Sequence, residues 1–316
     1  SIVDLVTGDQ PMYSEDRNVA LVYNGEIYNH QALRSELEDH GHHYYSGGDT
    51  ETVIHAYEEW GSAAVQRFRG MFAYAVWDAR HRRLLLVRDR LGQKPLYYVM
   101  TSAGLLFASE IKALLCHPSV ELAVDDEARD LYFALGYIPA PWTMFAGVRK
   151  LPPAHHLFWQ QGKLTVDRYW SPPLAPHRPR QDDVAARTEL REQLKLAVEE
   201  RLMSDVPLGA FLSGGVDSSL VVGLMAQALD RPVRTYAIGF DEASGIDPKF
   251  NRDFHHAELV ARSFGTEHCP VVIDSSVSLE ELATRMMVQT DEPLANPTVL
   301  PTYLVARQAR RDGIKV

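Results

Sequence analysis

Cysteine is nearly missing from this 316-residue chain, which has Cys116 and Cys269, far apart and in no metal-ligand spacing. That excludes a disulfide framework and a thiolate zinc site, and makes a reducing compartment, the cytoplasm by default, the expected setting. Long apolar runs are missing too. No segment approaches the roughly 20 residues that cross a bilayer, and no signal peptide pattern opens the sequence. Positive charge is in short supply, with 32 Lys plus Arg against 42 Asp plus Glu and a formal net charge of −10. A nucleic-acid backbone is therefore not the expected partner. An initiating Met is absent as well. Ser1 stands in what reads as a strand, Ile2-Val3-Asp4-Leu5, and Ile314-Lys315-Val316 reads as the start of another, so the expectation is an internal piece of a longer protein.

What is present is an ordinary globular composition, 46% hydrophobic and 23% charged, long enough for two domains. The first half is strand-rich. Short apolar runs at 19–23, 72–77, 83–88 and 105–108 are separated by turn signals. Helices are expected at 31–40, with Leu33 and Leu37 one turn apart, and at 50–60, with Val53, Ile54 and Tyr57 on one face. Strands that follow one another without crossover helices imply antiparallel pairing, and the helices then cover the sheets in an α+β arrangement. Pro172, Pro173, Pro176 and Pro179 stiffen the segment around 173–183, the best linker in the chain. Beyond it, helix 185–203, strand 209–212, a helix through Val221, Leu224, Met225 and Ala228 that ends at Asp230-Arg231-Pro232, strand 233–240, helix 254–264, strand 268–273 and helix 279–289 alternate. Such βα units imply an α/β domain with a doubly wound parallel sheet and a ligand at the carboxyl ends of its strands. The expected domains are 1–172 and 184–316.

The sharpest local signal is Leu212-Ser213-Gly214-Gly215-Val216-Asp217-Ser218-Ser219, at a strand-to-helix turn. The two glycines let backbone approach a phosphate, and the first amides of the following helix point at the same place. The serines add hydroxyl donors. Asp217 repels a phosphate directly but suits a Mg²⁺ ion that bridges phosphate oxygens. No lysine follows the second glycine, so this is not the G-x-x-x-x-G-K-[ST] loop. It resembles instead the S-G-G-x-D-S-S loop of ATP pyrophosphatases, which implies cleavage of ATP between its α and β phosphates and adenylation of an acceptor.

In the first half, Asn24-Gly25-Glu26-Ile27-Tyr28-Asn29 follows an apolar strand and Gly47-Gly48-Asp49-Thr50-Glu51 precedes a helix. Asn24 and Gly25 could donate to an oxyanion, and Asp49 could receive an ammonium; each motif alone is also an ordinary turn with a helix cap. Their order is more informative. These motifs are followed by Gly70-Met71-Phe72-Ala73, Arg88-Asp89-Arg90-Leu91-Gly92, Lys94-Pro95-Leu96-Tyr97-Tyr98, Ala108-Ser109-Glu110-Ile111-Lys112-Ala113-Leu114 and the phosphate loop. The series resembles, over nearly the whole chain, the glutamine-dependent asparagine synthetases, which join an N-terminal-nucleophile glutaminase to an ATP-pyrophosphatase synthetase.

The resemblance implies an oxyanion hole from Asn24 and Gly25, with Asn24, Glu26 and Asp49 binding glutamine. It implies ATP, pyrophosphate and Mg²⁺ at Leu212, Ser213, Gly214, Gly215, Asp217 and Ser218, with Asp217 the metal ligand and Ile238 and Gly239 beside the nucleotide. Asp291-Glu292-Pro293 matches the family's acceptor-side segment, and Asn296 stands where an acidic residue is common. The nucleophilic cysteine is expected upstream of Ser1, since Cys116 and Cys269 are internal and lack the free α-amine that would serve as base. A second metal-binding loop is expected after Val316. The implied reaction is adenylation of a carboxylate, L-aspartate first, then amidation by ammonia from glutamine. Three alternatives stay open: the same design acting on another carboxylate, a β-lactam-synthetase-like enzyme with an inactive glutaminase half, and a non-catalytic scaffold. The partners expected are small molecules, with room for a homodimer. The adjacent pairs His42-His43, His155-His156 and His255-His256 are expected to diverge rather than share a metal; Tyr97, Tyr98 and Trp142 are expected in cores or interfaces, and Arg307, Arg310 and Arg311 on a solvated helix face.

Overall fold

The computed structural model describes residues 7–173, 182–241, 251–274 and 278–316. They form two compact units, one of residues 1–175 with 291–295 and one of residues 176–290 with 296–316. The expected strand at Ile2–Leu5 and most of the expected linker lie outside the described residues.

The first unit contains strands β1 (Met12–Tyr13), β2 (Val19–Ile27), β3 (Gly70–Asp78), β4 (Arg83–Arg88), β5 (Tyr97–Thr101), β6 (Gly104–Ala108), β7 (Arg149–Lys150), β8 (His155–Gln160) and β9 (Lys163–Arg168). Its helices are α1 (His30–Asp39), α2 (Asp49–Trp60), α3 (Ile111–Leu115) and α4 (Asp126–Leu135). Strands β1, β2, β3, β4, β8 and β9 lie side by side in that order, every pair antiparallel. A second antiparallel sheet has the order β6-β5-β7.

Period-two alternation on β3 sets the layering. Phe72, Tyr74 and Val76 join Leu33, Leu37, Val53 and Ile54 in a core between the large sheet and helices α1 and α2. Ala73 and Ala75 point the other way, into a core with Leu96, Leu151 and Leu157 against which Tyr98, Leu105 and Phe107 pack from the small sheet. Helices, large sheet and small sheet therefore stack in three layers, which realises the expected α+β sandwich. Strand β2 runs four residues beyond its apolar stretch, to Ile27, because β3 continues to pair with it as far as Gly70. Asn24, Gly25 and Glu26 thus belong to the strand and do not form a turn after it.

The turn after β4 is built on one carboxylate. Asp89, 1% exposed, accepts from the backbone N–H groups of Leu91, Gln93 and Lys94 at 3.0 Å each and of Phe72 at 3.2 Å. Beside it the Arg88 guanidinium donates to the carbonyls of Lys94, Leu151 and Gly92. Burial depresses the Arg88 pKa from its ordinary value.

The second unit contains β10 (Gly209–Phe211), β11 (Arg234–Phe240) and β12 (Glu267–Ile273), all parallel and adjacent in that order, with α5 (Asp183–Glu199), α6 (Val216–Ala228), α7 (Arg252–Phe264), α8 (Leu279–Thr290) and α9 (Val299–Arg311). Leu212, Val222, Ala237, Ala257 and Ala261 pack α6 and α7 onto one face of the sheet. Tyr236, Val305 and Ala309 pack α9 onto the other, leaving Arg307, Arg310 and Arg311 to the solvated side as expected. Helices on both faces of a parallel sheet are the doubly wound arrangement. In this unit several ends fall where expected and the others differ by up to four residues, most at α5, which stops at Glu199 rather than 203.

Replacing Asp89 with alanine would leave several backbone donors without their buried acceptor. We expect a loss of about 3 kcal/mol or more from stability, read by urea denaturation. A loss below ~1 kcal/mol would mean the turn holds without the carboxylate.

Candidate active sites

In the first unit the implied glutamine ligands gather around the end of β2 and the start of α2. Gly25 faces Phe72 on β3, and a Cβ added there would collide with the Met71 carbonyl oxygen and the Phe72 backbone. Glycine is required by that close approach. Asn24 is exposed, with its side-chain amide 3.4 Å from Ser109 Oγ. The Gln10 side chain fixes the strand just before it, accepting from Tyr23 N–H at 2.7 Å and donating to Tyr23 O at 2.9 Å. Asn24, Gln10, Tyr74 and Ser109 share a cavity of about 230 Å³.

Asp49 is 2% exposed and sits in the first turn of α2. Its Oδ2 accepts from Tyr23 OH at 2.6 Å and from Ile27 N–H at 2.8 Å, which ties the helix start to β2. Burial raises the Asp49 pKa above the ordinary carboxylate value, against the lowering effect of those two donors. The helix N-terminus favours a negative charge there. Glu26 is 3% exposed, and both Glu26 and Asp49 raise the Tyr23 pKa, after burial itself, so Tyr23 stays a donor. His30, 3% exposed, has its pKa lowered by burial and is therefore neutral at pH 7. Two buried carboxylates thus stand together, with a hydroxyl and an amide donating to Asp49 and, among the described residues, no cationic side chain hydrogen-bonded to it.

In the second unit the phosphate loop joins β10 to α6. Gly214 has φ +78°, and a Cβ on it would sit 2.5 Å from Asp253 O and 2.6 Å from Ala257 N. Gly215 starts the helix with extended backbone, and its added Cβ would meet nothing nearer than Ser213 Oγ at 3.5 Å. The loop is braced internally: Ser213 Oγ and Ser218 Oγ lie 2.9 Å apart, and Ser218 and Ser219 donate to the Gly215 carbonyl at 3.1 and 2.8 Å. The first amides of α6 have no intrahelical acceptor and open outward. Asp217 is exposed on that same turn.

Behind the loop, at the carboxyl ends of β10 and β11, lies a cavity of about 510 Å³ with Leu212, Ser213, Ile238, Phe254 and Thr302 on its walls. Its size suits a nucleotide. Leu212 and Ile238 line it. Gly239 does not; its Cα lies against the Phe254 ring, 2.7 Å from where a Cβ would be, so it lets α7 approach the sheet.

Asp291 and Glu292 are held elsewhere. Asp291 Oδ2 accepts from Ile111 N–H at 2.7 Å and Oδ1 pairs with Lys112 at 2.8 Å. Glu292 accepts from Met144 N–H at 2.9 Å and pairs with Lys150 at 2.6 Å. These carboxylates are engaged by the first unit, to which residues 291–295 belong. Asn296 acts locally, its Oδ1 accepting from Thr298 N–H and Oγ1 at the start of α9, which an aspartate would do equally. Sequence reasoning missed Gln10, Tyr23 and the two lysines. Tyr23 could have been found as the polar end of an apolar strand, whereas the lysines carry no local signal.

The fold and these two sites define a class, an amidotransferase-type sandwich joined to an α/β domain with a pyrophosphatase-type phosphate loop. The chain belongs to the glutamine amidotransferase family: residues 1–170 match its description, "Glutamine amidotransferase domain", and residues 189–316 match that of "Asparagine synthase". It is 37% identical over 303 residues to asparagine synthetase (glutamine-hydrolyzing) 3 of Bacillus subtilis, covering 92% of this chain and 48% of that protein. It is 33% identical over 314 residues to asparagine synthetase (glutamine-hydrolyzing) 1 of the same organism, covering 98% and 48%. Asparagine synthetase (glutamine-hydrolyzing) 3 of Arabidopsis thaliana is 32% identical over 333 residues, covering 100% of this chain and 50% of the relative. The chain spans about half the length of these curated relatives.

Two substitutions separate structure from ligand approach. Gly214→Ala should lower the melting temperature by several degrees, because the left-handed backbone and the Asp253 carbonyl both oppose a Cβ. Gly215→Ala should leave it within a degree or two of the parent; equal melting temperatures for the two variants would contradict the steric account. Since the folded-state pKa of Asp49 is raised, its ionisation at neutral pH opposes folding, and the stability it costs is recovered as pH falls through that pKa. Asp49→Asn, which can still accept from Tyr23 and Ile27 through Oδ1, should therefore melt at or above the parent temperature at pH 7.

Proposed function

We propose that this chain carries the glutaminase site and the nucleotide half of the synthetase site of a glutamine-hydrolysing asparagine synthetase acting in the cytoplasm. The observation that carries the reading is the pairing, in one chain, of a buried two-carboxylate pocket with an anion-binding loop over a nucleotide-sized cavity. In the first unit, Asp49 and Glu26 receive the α-ammonium of glutamine, which offsets the desolvated charge of Asp49. Asn24 Nδ2 and the Gly25 N–H stabilise the oxyanion formed when the family's N-terminal cysteine attacks the side-chain amide. The products are glutamate and ammonia.

In the second unit, adenine and ribose occupy the cavity beside Leu212 and Ile238. The pyrophosphate lies on the amides and hydroxyls of Ser213, Gly214, Gly215 and Ser218. The loop offers a divalent cation one exposed carboxylate, Asp217, flanked by hydroxyl oxygens, a hard-donor set that suits Mg²⁺. Bound there, Mg²⁺ would neutralise charge on the phosphate oxygens. An aspartate side-chain carboxylate attacks the α-phosphorus of ATP, pyrophosphate leaves, and ammonia displaces AMP from the acyl-adenylate to give asparagine. Adenylation is needed because a carboxylate alone is a poor electrophile.

The decisive measurement is pyrophosphate release by the full-length protein with ATP, Mg²⁺ and a panel of amino acids. Aspartate should elicit it; release with another carboxylate alone would replace asparagine as the product, and none at all would sink the synthetase reading. Asp217→Ala should abolish release while glutamine hydrolysis continues. Asn24→Ala should lower glutamine-driven turnover by about 100-fold or more, the usual size of a lost oxyanion donor. Asp49→Asn should raise the KM for glutamine but spare synthesis from free ammonia.

A further inference from the structure

His42 lies in neither a helix nor a strand, and its partner is not the neighbouring His43. The loop after α1 folds His42 onto α2, where its ring lies 4.9 Å from that of His55, centroid to centroid, and inclined at 47°. One donor atom each from His42, His55 and Glu58 lies within 4.8 Å of the other two. His55 and Glu58 are three residues apart on α2, so they rise from one helix face, with His55 Nδ1 3.2 Å from Glu58 Oε2. Glu59 Oε2 comes within 3.4 Å of His42 Nε2 and adds a second carboxylate beside the cluster.

The surroundings separate this cluster from an ordinary solvated face. The His55 side chain is 2% exposed, and those of His42 and Glu58 are each 16% exposed. Among the described residues, His55 Nε2 is buried without a hydrogen-bond partner, although Glu51 Oε1 is 3.4 Å away. Three carboxylates, Glu51, Glu58 and Glu59, surround His55 and His42; against the lowering effect of burial, Glu51 and Glu58 push the His55 pKa up to about 9, so a metal ion bound there would displace a proton. Glu51 is itself fixed, accepting from the N–H groups of Tyr45 and Ser46 at 2.9 and 2.7 Å and from Ser46 Oγ. The donors therefore come from a rigid helix and a short loop, as a preorganised site requires.

We propose that His42, His55 and Glu58 form a binding site for a divalent transition-metal ion of the zinc class, distinct from the phosphate loop and unrelated to nucleotide. Two imidazoles and one carboxylate are the donor set that Zn²⁺ and Co²⁺ take, whereas Mg²⁺ takes oxygen donors and gains little from imidazole. The ion would sit between the loop after α1 and the middle of α2, clamping the two together. The proposal does not depend on the glutamine or ATP readings.

The test uses the chain stripped of metal with a chelator, then titrated with Zn²⁺ in the presence of excess Mg²⁺ and followed by calorimetry, with Co²⁺ as a spectroscopic probe. One equivalent of Zn²⁺ should bind, raise the melting temperature, and be mirrored by Co²⁺ d–d bands of low-symmetry coordination. His42→Ala and Glu58→Gln, both at partly exposed positions where folding should survive, should each weaken Zn²⁺ binding by more than about 100-fold, beyond the loss expected of an outer-shell partner. His155→Ala, at a histidine outside the cluster, should bind as the parent does. Absence of binding at micromolar Zn²⁺ would overturn the proposal, as would binding that survives both His42→Ala and Glu58→Gln or that Mg²⁺ displaces.

Discussion

The carboxylate of Asp49 is the constraint around which the first unit is arranged. Its Oδ2 takes one bond from a tyrosine hydroxyl and one from a strand amide, and so fixes where α2 begins relative to β2. The core of Leu33, Leu37, Val53, Ile54, Phe72 and Tyr74 packs beside that junction, since α1 and α2 both lie on the face that β2 and β3 present. Burying a carboxylate is unfavourable unless its donors are good, and here they are neutral. The two donors offset only part of that cost, so the carboxylate keeps a pKa above its ordinary value.

The second unit solves the converse problem. Its loop is braced by hydroxyls and backbone rather than by basic side chains, so a bound anion would be met by amides, hydroxyls and a helix terminus. Gly214 makes this feasible by lying flat against the start of α7, where the Asp253 carbonyl and Ala257 amide leave no space for a side chain. The two units therefore present opposite chemistry. One holds acid in an apolar setting, and the other holds neutral donors at an open helix end.

How much of this could be read from the sequence depended on distance along the chain. The phosphate loop was legible because all its working parts lie within eight consecutive residues and each type has a reason to be there. The centre of the large sheet was legible from the apolar runs of β2, β3 and β4. Strands β8 and β9 were not, since His155–Gln160 mixes polar and apolar residues without a clean period and Lys163–Arg168 alternates through only two apolar residues, Leu164 and Val166; both are defined by pairing with β4 and with each other. Asp89 was visible as part of a motif, but its four backbone donors were not, because one of them comes from Phe72. Asp291 was assigned from its neighbours in sequence, whereas its partners Ile111 and Lys112 lie about 180 residues upstream, beyond any local signal. The same holds for His42, whose companion His55 is on the next helix and is not the histidine beside it.

The excursion of residues 291–295 bears on how such a protein can be divided. The chain passes from one unit to the other near 175, returns at 291 and leaves again after 295. A fragment cut at the proline-rich segment would carry Asp291 and Glu292 away from the amides of Ile111 and Met144 and from Lys112 and Lys150. The remaining sandwich would lose two acceptors that cap its own helix α3 and fix its β7 lysine. The first unit is thus not a self-contained cassette: a short piece of its fold is encoded within the sequence of its neighbour, and moving one half without the other would leave the sandwich without that piece.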